Sequence, residues 1–470
     1  MSESGFRIEK DSMGDMQVPD WALWGASTQR AVENFPISGI GVPIETVHAF
    51  GLLKSACAMV NKDLDKLEAK LATPIIEASN EVAAGEHDKQ FPVDIYQTGS
   101  GTSTNMNANE VIANLANRKL GIEKLGTKSP VHPNDHVNMG QSSNDTFPTA
   151  MHVAACISLE DSLMPALNRL QDILETHSNN WDSIVKIGRT HLMDATPIRL
   201  GQVFSGYAHQ AKMAHSHAGA AQTAMMHNLA IGGTAVGTGI NTHREFGARV
   251  CRQLSDITGI QFEEAENHPE AQATKDAVVM ASGYLKTIAV SLSKMANDIR
   301  WLGSGPRCGI GELALPAIQP GSSIMPGKVN PVICESVVQV ACRVIANDIA
   351  ISLGGFGGVG SILELNVAMP MMADALMQSI KLLANVANVF VDKLLVELQV
   401  NQQRCAELIE QSLMVVTSLA PQIGYDKASK VAKQALAEGK TIRQLVKEQQ
   451  LLDDATLDRL LEPRGMTEPS

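Results

Sequence analysis

Small polar residues gather in four short stretches of the sequence, each lying between apolar, helix-forming segments. Ser, Thr and Asn side chains supply neutral hydrogen-bond donors, and loop or helix N-terminal amides supply more. With Lys328 and His191 added, this donor set is suited to holding a small dicarboxylate. The four stretches are 97–107 (QTGSGTSTNMN), 132–146 (HPNDHVNMGQSSNDT), 188–196 (GRTHLMDAT) and 320–331 (PGSSIMPGKVNP).

The last of these stretches carries more than a connecting loop needs. Its glycines permit backbone conformations closed to other residues, and its prolines forbid an upstream continuation of helix. Asn330 and Pro331 make a natural N-cap and first-turn pair for the helix that follows. A structural loop requires that and no more, so Ser322, Ser323 and Lys328 are candidates for chemistry.

Several of these motifs also have purely structural interpretations. TGSGTSTN serves equally well as a plain helix cap, and it lacks the Lys-Ser/Thr ending of a phosphate-binding P-loop. GGTAVGTG (232–239) is better explained as a structural turn. A lone histidine such as His191 is more often structural, but Thr190 and Asp194 flank it with polar partners, and Pro197 is expected to start the next helix. HExxH and CxxC spacings are absent, so zinc has little support.

Bulk composition limits the function classes. Net charge is −12, from 38 basic and 50 acidic residues, which excludes the basic footprint of a nucleic-acid binder. The seven cysteines are odd in number and unpaired in spacing, which favours reduced thiols in the cytosol. Residues 1–21 include several acids without an apolar core, so we expect neither a signal nor a transit peptide. No uninterrupted apolar run approaches the ~18 residues of a membrane span. We expect a soluble, cytoplasmic protein.

Helical periodicity dominates the chain, and little period-2 alternation is visible. Two of the long helices are apolar nearly all round, and such a helix must be buried on every side. We therefore expect a homo-oligomer whose helices pack together. The predicted helices are 45–70, 71–90 (opening with Thr73-Pro74), 150–180, 196–231, 242–258, 271–302, 332–353 and 366–398.

The stretch GSSIMPGKVNP resembles the signature of the aspartase/fumarase superfamily, whose members eliminate a group from a carbon beside a carboxylate to leave fumarate. The resemblance runs to about residue 445, and its blocks follow the same order as in class II fumarases. The similar segments are TGSGTSTNMNANE, HPNDHVN, QSSNDTFPTAMH, GRTHLMDATP, GGTAVGTGIN, SGPRCGIGE and IGYDKASKVA.

The resemblance implies an all-α fold of three helical domains. It places an N-terminal helical domain with substrate loops at 1–140, a central elongated five-helix bundle at 141–398 and a small C-terminal helical domain at 399–470. The bundles would form a twenty-helix core in a homotetramer. Each active site would combine residues of three subunits, and no cofactor or metal is implied.

The resemblance also assigns roles. Ser322 would be the catalytic base that removes a proton from C3 of malate. His191, charged and oriented through Glu335, would handle the hydroxyl through a water molecule. Serine is a weak base, so Lys328 and backbone amides would have to support its deprotonation. The substrate-binding residues would be Ser100, Gly101, Thr102, Ser142, Ser143, Asn144, Thr190, Ser323, Lys328, Val329 and Asn330.

A second, non-catalytic dicarboxylate site is implied at His132, Pro133, Asn134 and Asp135. The family often has a basic residue three positions before this histidine. Here that position is Ser129, beside Lys128, so we expect weak anion binding at this second site.

Three alternatives differ in their sequence requirements. Aspartate ammonia-lyase shares the fold and intermediate, and Leu192 and Met139 are similar to that branch. Gly327, Ser143 and the Cys308-Gly309-Ile310-Gly311 segment are similar to fumarases instead. A non-catalytic scaffold is disfavoured because the four residues expected to carry the reaction are all present: Ser322, His191, Lys328 and Glu335. A nucleotide-dependent enzyme would need strands and a phosphate-binding loop, and the sequence predicts neither.

Overall fold

The computed structural model describes residues 5–469, most of them in helices, which confirms the all-α fold class. Residues 1–4 and 470, the ends of the predicted first and third domains, lie outside the described part. The chain forms two compact units. The first unit comprises Met1–Pro165, Ser216–Ala289 and Val340–Ala384, and the second comprises Ala166–His215, Val290–Gln339 and Asn385–Ser470. The three-domain boundaries stay a prediction.

Helices and strands are numbered along the chain. The 17 α-helices of the described residues are α1 Ala26–Asn34, α2 Ile44–Asp63, α3 Ala69–Ala83, α4 Thr102–Lys119, α5 Ser143–Ser158, α6 Met164–Asn180, α7 Leu200–Met226, α8 Phe246–Thr258, α9 His268–Ala273, α10 Asp276–Leu302, α11 Val332–Gly355, α12 Met369–Phe390, α13 Gln402–Gln411, α14 Ala420–Ile423, α15 Tyr425–Glu438, α16 Ile442–Glu448 and α17 Asp454–Leu460. The strands are β1 Phe6–Asp11, β2 Gly14–Pro19, β3 Val185–Thr190, β4 Met193–Arg199, β5 Leu313–Ala314, β6 Ser361–Ile362, β7 Leu365–Asn366 and β8 Gln399–Val400. They form the antiparallel pairs β1–β2, β3–β4, β5–β8 and β6–β7.

The first unit is built on α2, which packs against α3, α5 and α8. Phe50 and Leu53 of this helix are fully buried, and so is the charged side chain of Lys54. Ile75 of α3 and Ile112 of α4 belong to the same apolar core. A helix buried on all sides in this way lacks a polar face, which explains its weak amphipathic pattern.

The second unit has its own apolar core in the C-terminal part of the chain. Leu419, Val431, Leu445 and Leu457 are buried there between the short helices that follow α13. Val185, the first residue of β3, packs against this cluster. The core therefore anchors the start of the β3–β4 hairpin.

The β3–β4 hairpin corrects two predictions. The helix predicted at 196–231 begins at Leu200 instead and ends at Met226. Pro197 lies within β4, opposite Ile187, and does not start a helix. Both strands are short and their register shifts at the third residue of β3, so the period-2 signal that marks a strand is interrupted.

A third correction concerns α3. This helix begins at Ala69, and Pro74 lies inside it rather than in its first turn with Thr73 as cap. Ala72 and Ile75, on either side of this position, are fully buried. Burial of this apolar face outweighs the single helical hydrogen bond that a proline removes.

Two predicted long helices are confirmed with a refinement. The helix predicted at 150–180 is observed as α5 and α6, joined by a π-helical turn at Leu159–Leu163. The helix predicted at 366–398 is observed as α12, extended by a π-helical turn at Val391–Leu395. The loops before α5 and α12 therefore lead directly into the N-termini of these two helices.

Helix α11 is long and apolar enough to cross a membrane by length and composition, although one such helix is weak support for a membrane protein. Only 39% of its most apolar segment is buried, and Ile349 and Leu353 are more than half exposed. Its buried polar groups are nevertheless bonded within the protein. Asn347 donates to Ser379 Oγ at 3.1 Å, and Asp348 accepts from Ser282 and Lys286. These contacts hold α11 against α12 and α10.

A buried histidine of α5 makes stability depend on pH. Burial, together with the nearby charge of Lys275, lowers the pKa of His152 from 6.5 to about 4. The unfolded chain therefore takes up a proton that the folded chain rejects, and stability falls as pH drops from 6.5 toward 4. The loss between pH 6.5 and pH 5 should be about 2 kcal/mol. His152→Gln should remove this part of the dependence when urea midpoints are compared at the two pH values.

The matched control is His209→Gln, since His209 is exposed on α7. It should retain the wild-type dependence on pH. Equal dependence in the His152→Gln variant would contradict the assignment.

Candidate active site

Three predicted ligands form a continuous chain of hydroxyl groups in the first unit. Ser100 Oγ lies 2.8 Å from Thr102 Oγ1, and Thr102 Oγ1 lies 2.7 Å from Ser143 Oγ. Either oxygen of each pair can donate, so the direction of the chain can adapt to a ligand. Ser100 and Thr102 belong to the first polar stretch and Ser143 to the second. The structure thus brings together residues that lie 41 positions apart.

This hydroxyl chain joins the N-termini of two helices. Thr102 is the first residue of α4 and Ser143 is the first residue of α5. The positive ends of two helix dipoles therefore meet at one point, which favours a carboxylate there. Gly101 permits this arrangement because its φ is +73° and an added Cβ would lie 2.0 Å from the ring of Phe147.

Asp145 ties the second polar stretch to the glycine-rich loop at 232–239. Its carboxylate accepts backbone N–H groups of Ser142 at 2.8 Å, Thr234 at 2.9 Å and Gly232 at 3.3 Å. Beside it, the Asn144 amide donates to the carbonyl of Ala235 at 2.7 Å. The glycine-rich loop is therefore a structural turn, as the sequence predicted, and it also holds the start of α5 in place.

A buried lysine supports the same region and was missed at the sequence level. Lys54 donates to Asn105 at 2.7 Å, Gln141 at 2.9 Å and Asn138 at 3.0 Å. Burial lowers the pKa of Lys54 to about 8, and burial raises the pKa of Asp145 to about 6. The available signal was one lysine within the apolar segment GLLKSACAMV of α2.

In the second unit, Thr190 and His191 lie at the tip of the β3–β4 hairpin. Thr190 pairs with Met193, so His191 and Leu192 form a two-residue turn. Both have positive φ, +58° and +62°, as a type I′ turn requires. Residues other than glycine hold this conformation at a cost of about 1–2 kcal/mol each. The side chain of His191 is exposed at this tip.

The loop at 321–331 is closed at its neck by its own hydrogen bonds. Gly321 N–H donates to the Lys328 carbonyl at 3.0 Å, and the Asn330 amide donates to the Gly321 carbonyl at 2.6 Å. The side-chain amide of Asn330 therefore closes the loop. Helix α11 begins at Val332 and its first helical bond runs from Glu335 N–H to the Pro331 carbonyl, so Pro331 occupies the N-cap position that was predicted for Asn330. Lys328, Ser323 and Val329 lie on the exposed part of the loop.

Ser322 has a distinctive environment within this loop. Its Oγ accepts backbone N–H groups from Ile324 at 3.2 Å and Met325 at 3.1 Å. The serine is half-buried, whereas Ile324 is 83% exposed. Two N–H groups directed at one hydroxyl oxygen would stabilise negative charge on it.

Among the described residues, no hydrogen bond or ion pair joins His191 to Glu335 or to the 321–331 loop. Glu335 lies in the first turn of α11 and is exposed. A cavity of about 990 Å³ lies beside the hairpin within the second unit, and its lining includes Thr190 and Leu192. Neither His191 nor Ser322 lines that cavity. The predicted catalytic groups are therefore not assembled within this unit of a single chain.

The predicted second site forms a compact turn in the first unit. His132 Nδ1 accepts the N–H groups of Asn134 at 3.3 Å and Asp135 at 3.2 Å. Pro133 is buried, while Asn134 and Asp135 are exposed. The amine of Lys128 donates to a backbone carbonyl of β1 at 2.6 Å. The role of this second site in binding anions stays a prediction.

One group of possible metal ligands lies elsewhere in the first unit. Glu81, Glu86 and His87 could each direct one ligand atom to a common point. Lys119 already forms an ion pair with Glu81, which is close to His87 as well. A cation would therefore compete with a lysine ammonium, and the donor set does not favour a metal.

Comparisons with known proteins agree along nearly the whole chain. Family profiles described as Lyase and Fumarase C C-terminus match residues 14–346 and 415–468. A class II fumarate hydratase of Corynebacterium efficiens is 54% identical over 458 residues, 97% of this chain and 94% of that protein. That of Mycobacterium tuberculosis is 52% identical over 468 residues, 98% and 96% of the two chains. The crystal structure of recombinant class II fumarase from Schistosoma mansoni has a TM-score of 0.95 and 38% identity, covering 99% of this chain and 100% of that chain.

Removing the Asp145 charge tests how the α5 N-terminus is held. Asp145→Asn replaces one acceptor oxygen by a donor that faces backbone N–H groups. The free energy of unfolding should fall by about 1–3 kcal/mol, the cost of unsatisfied buried donors. Hydrogen–deuterium exchange at Gly232 and Thr234 should accelerate.

Asp172→Asn is a suitable control because Asp172 is exposed on α6. It should change neither stability nor exchange at those amides. Unchanged exchange in the Asp145→Asn variant would show that this carboxylate does not hold the loop.

Proposed function

This chain belongs to the class II fumarate hydratase family, and we propose that it catalyses the reversible hydration of fumarate to L-malate. The observation that carries the proposal is the near full-length identity of 54% to a class II fumarate hydratase. The four polar stretches of the sequence all lie within the matched length. The matched relatives are named fumarate hydratases, which makes aspartate ammonia-lyase the lesser candidate.

One carboxylate of the substrate binds at the joined N-termini of α4 and α5. The hydroxyl chain of Ser100, Thr102 and Ser143 donates to it, with the helix N-terminal amides behind. Ser142 and Asn144 shape the same helix end. The donors are neutral and already arranged, so they need little reorganisation when the substrate acquires charge.

The difficult step is removal of a proton from C3 of malate. The proton lies beside a carboxylate, so its loss spreads a second negative charge onto that carboxylate and forms an aci-carboxylate. Ser322, as an alkoxide, takes the proton. The N–H groups of Ile324 and Met325 favour its anionic form, and Lys328 on the same loop adds positive charge. The predicted substrate ligands on the same loop are Ser323, Val329 and Asn330.

The second half of the reaction expels the hydroxyl group. His191, polarised by Glu335, supplies a proton through a water molecule, and the C2–O bond breaks to release water. The electron pair of the aci-carboxylate forms the C2–C3 double bond of fumarate. Hydration follows the same steps in reverse. Thr190, next to His191, contributes a hydroxyl donor.

The protein acts as a homotetramer in this proposal. His191, Ser323, Lys328 and Glu335 are exposed in one chain, and solvent water would weaken every electrostatic contribution they make. Exposed apolar side chains on the long helices offer an assembly surface: Met280, Val290, Ile349 and Leu353 are each more than half exposed. Association through these helices would build the twenty-helix core and bring loops from three chains together.

The remaining expectations from the sequence are part of the same proposal. The N-terminal helical domain would extend over 1–140, the central bundle over 141–398 and the C-terminal domain over 399–470. The protein would act in the cytoplasm. In this assignment α11 is a core helix of the assembly, which accounts for its apolar composition.

A direct assay tests the reaction and its base. The absorbance of fumarate should rise when the protein is given L-malate and stay unchanged with L-aspartate. Ser322→Ala should lower kcat by about 10²–10⁴-fold, the range for a general base, with a modest change in KM. Fumarate formation from L-aspartate instead would indicate the ammonia-lyase.

Ser336→Ala is a matched control, since Ser336 is the residue after Glu335 on α11 and has no proposed role. It should retain wild-type kcat. Near-normal turnover of the Ser322→Ala variant would place the base elsewhere.

Shared active sites predict complementation between inactive variants. Thr102→Val removes the central hydroxyl of the first-unit cluster, and Ser322→Ala removes the base on the second-unit loop. Co-expressed with different affinity tags, the mixed oligomer should be several-fold more active than either parent, because some of its sites contain only wild-type residues. A mixed oligomer no more active than its parents would indicate that each chain builds its own site.

A further inference from the structure

A fully buried carboxylate in the second unit takes no direct part in the proposed chemistry. Glu312 has no solvent-exposed surface, and it lies between two cations of β3. Arg189 Nη1 lies 3.0 Å from each of its carboxylate oxygens, and Lys186 Nζ lies 3.2 Å from one of them. Lys186 also donates to the Ile187 carbonyl at 2.5 Å. A buried charge cluster of this kind is costly unless its geometry is well satisfied.

The β3–β4 pairing is irregular between the two cations. The register shifts after Ile187, where Gly188 alone lies opposite two residues of β4, so the bulge belongs to β4. In a regular strand, side chains three positions apart point to opposite faces of the sheet. Lys186 and Arg189 nevertheless both reach Glu312, one from each side of this shift. An added Cβ at Gly188 would lie 2.5 Å from the carbonyl oxygen of Thr196, so glycine allows the two strands to approach this closely.

Glu312 is itself held firmly. Its carbonyl accepts the N–H of Asn401 at 2.9 Å, and the next two residues form β5, which pairs with β8. Arg404 of α13 donates to the carbonyl of Ile310 at 3.0 Å, just before Glu312. The carboxylate is therefore a fixed point from which the hairpin can be oriented.

The position of this cluster in the chain links it to the chemistry. Arg189 is two residues before His191, whose positive φ is a strained conformation that neighbouring contacts must maintain. Residues 315–320 alone separate β5 from the 321–331 loop that carries Ser322. One buried carboxylate therefore joins the strand that carries the proposed acid to the segment that leads to the proposed base.

We propose that Glu312 is a positioning residue for the reaction: through Arg189 and Lys186 it sets the orientation of the hairpin tip that carries His191. The inference rests on the proposed function for its catalytic consequence, and on the geometry alone for its effect on the hairpin. Glu312 does not touch the substrate in this assignment.

The main test compares Glu312→Gln with wild type in kcat and in the conformation of the hairpin. Misplacement of a catalytic group by about 1 Å costs roughly 10²-fold, so kcat should fall by about 10–100-fold. Met193, the residue after the His191-Leu192 turn, is 69% exposed and reports on the hairpin through its ¹³C-methyl NMR signal. We expect that signal to shift or broaden in Glu312→Gln.

A double variant separates positioning from stability. Glu312→Gln leaves two buried cations without a counter-charge, whereas Glu312→Gln with Lys186→Met restores the original net charge of the cluster. The double variant should regain most of the lost Tm while kcat and the Met193 signal remain perturbed. Recovery of both kcat and the Met193 signal would overturn the proposal, since the cluster would then act only through stability.

Two further variants keep the test decisive. If Glu312→Gln does not fold, Arg189→Lys retains the charge but loses the contact to both oxygens, and it should shift the Met193 signal in the same direction. The control is Asp348→Asn, which alters another buried carboxylate paired with a lysine. Asp348 lies 13 residues after Glu335 on α11, about 20 Å along the helix. It should lower Tm without changing kcat or the Met193 signal.

The outcomes distinguish this inference from the proposed function. A wild-type protein without hydratase activity would overturn the proposed function, and a His191→Asn variant with full activity would overturn the role proposed for His191. The Met193 signal would still report whether Glu312 orients the hairpin. A folded Glu312→Gln variant with wild-type kcat and an unchanged Met193 signal would overturn the inference alone.

Discussion

An α-helix satisfies its own backbone hydrogen bonds everywhere except in its terminal turns, and this constraint decides where a mostly helical chain can hold an anion. Three of the four polar stretches accordingly include or adjoin a helix N-terminus: those of α4, α5 and α11. The fourth lies at a hairpin turn, the other place where backbone and side chains escape regular pairing. The long helices thus provide stability, and their ends provide the donors.

Helix ends are useful as ligands only if they are held still, and buried charges do this in both units. Lys54 and Asp145 each make three hydrogen bonds in the first unit, and Glu312 binds two cations in the second. A buried charge costs free energy that apolar residues would not. Its directional bonds fix loops that hydrophobic contacts alone leave free to slide. These buried charges therefore lower the stability of the fold but fix the positions of the loops.

Local patterns in the sequence predicted the helices and the donor residues, because periodicity and Gly/Pro/Ser clusters are properties of neighbouring residues. The hairpin that carries His191 was missed because a bulge interrupts its alternation after three residues. The amide of Asn330 was expected at a helix N-cap, yet it reaches back nine residues to Gly321. The roles of Lys54 and Glu312 depend on partners far away in the chain, which no local pattern encodes.

Exposure of the proposed machinery in one chain has a physical consequence. An aci-carboxylate needs donors in a water-poor site, because contact with solvent reduces each electrostatic contribution several-fold. Lys328 and His191 meet solvent in the single chain, and so do Ile349 and Leu353 of α11, one helical turn apart on the same face. In the proposed homotetramer, burial of that apolar face against other copies would remove water from the helix surface and close the loops at the helix ends in the same event. Assembly and activity would therefore depend on one association equilibrium, and a weakened helix contact would lower both together.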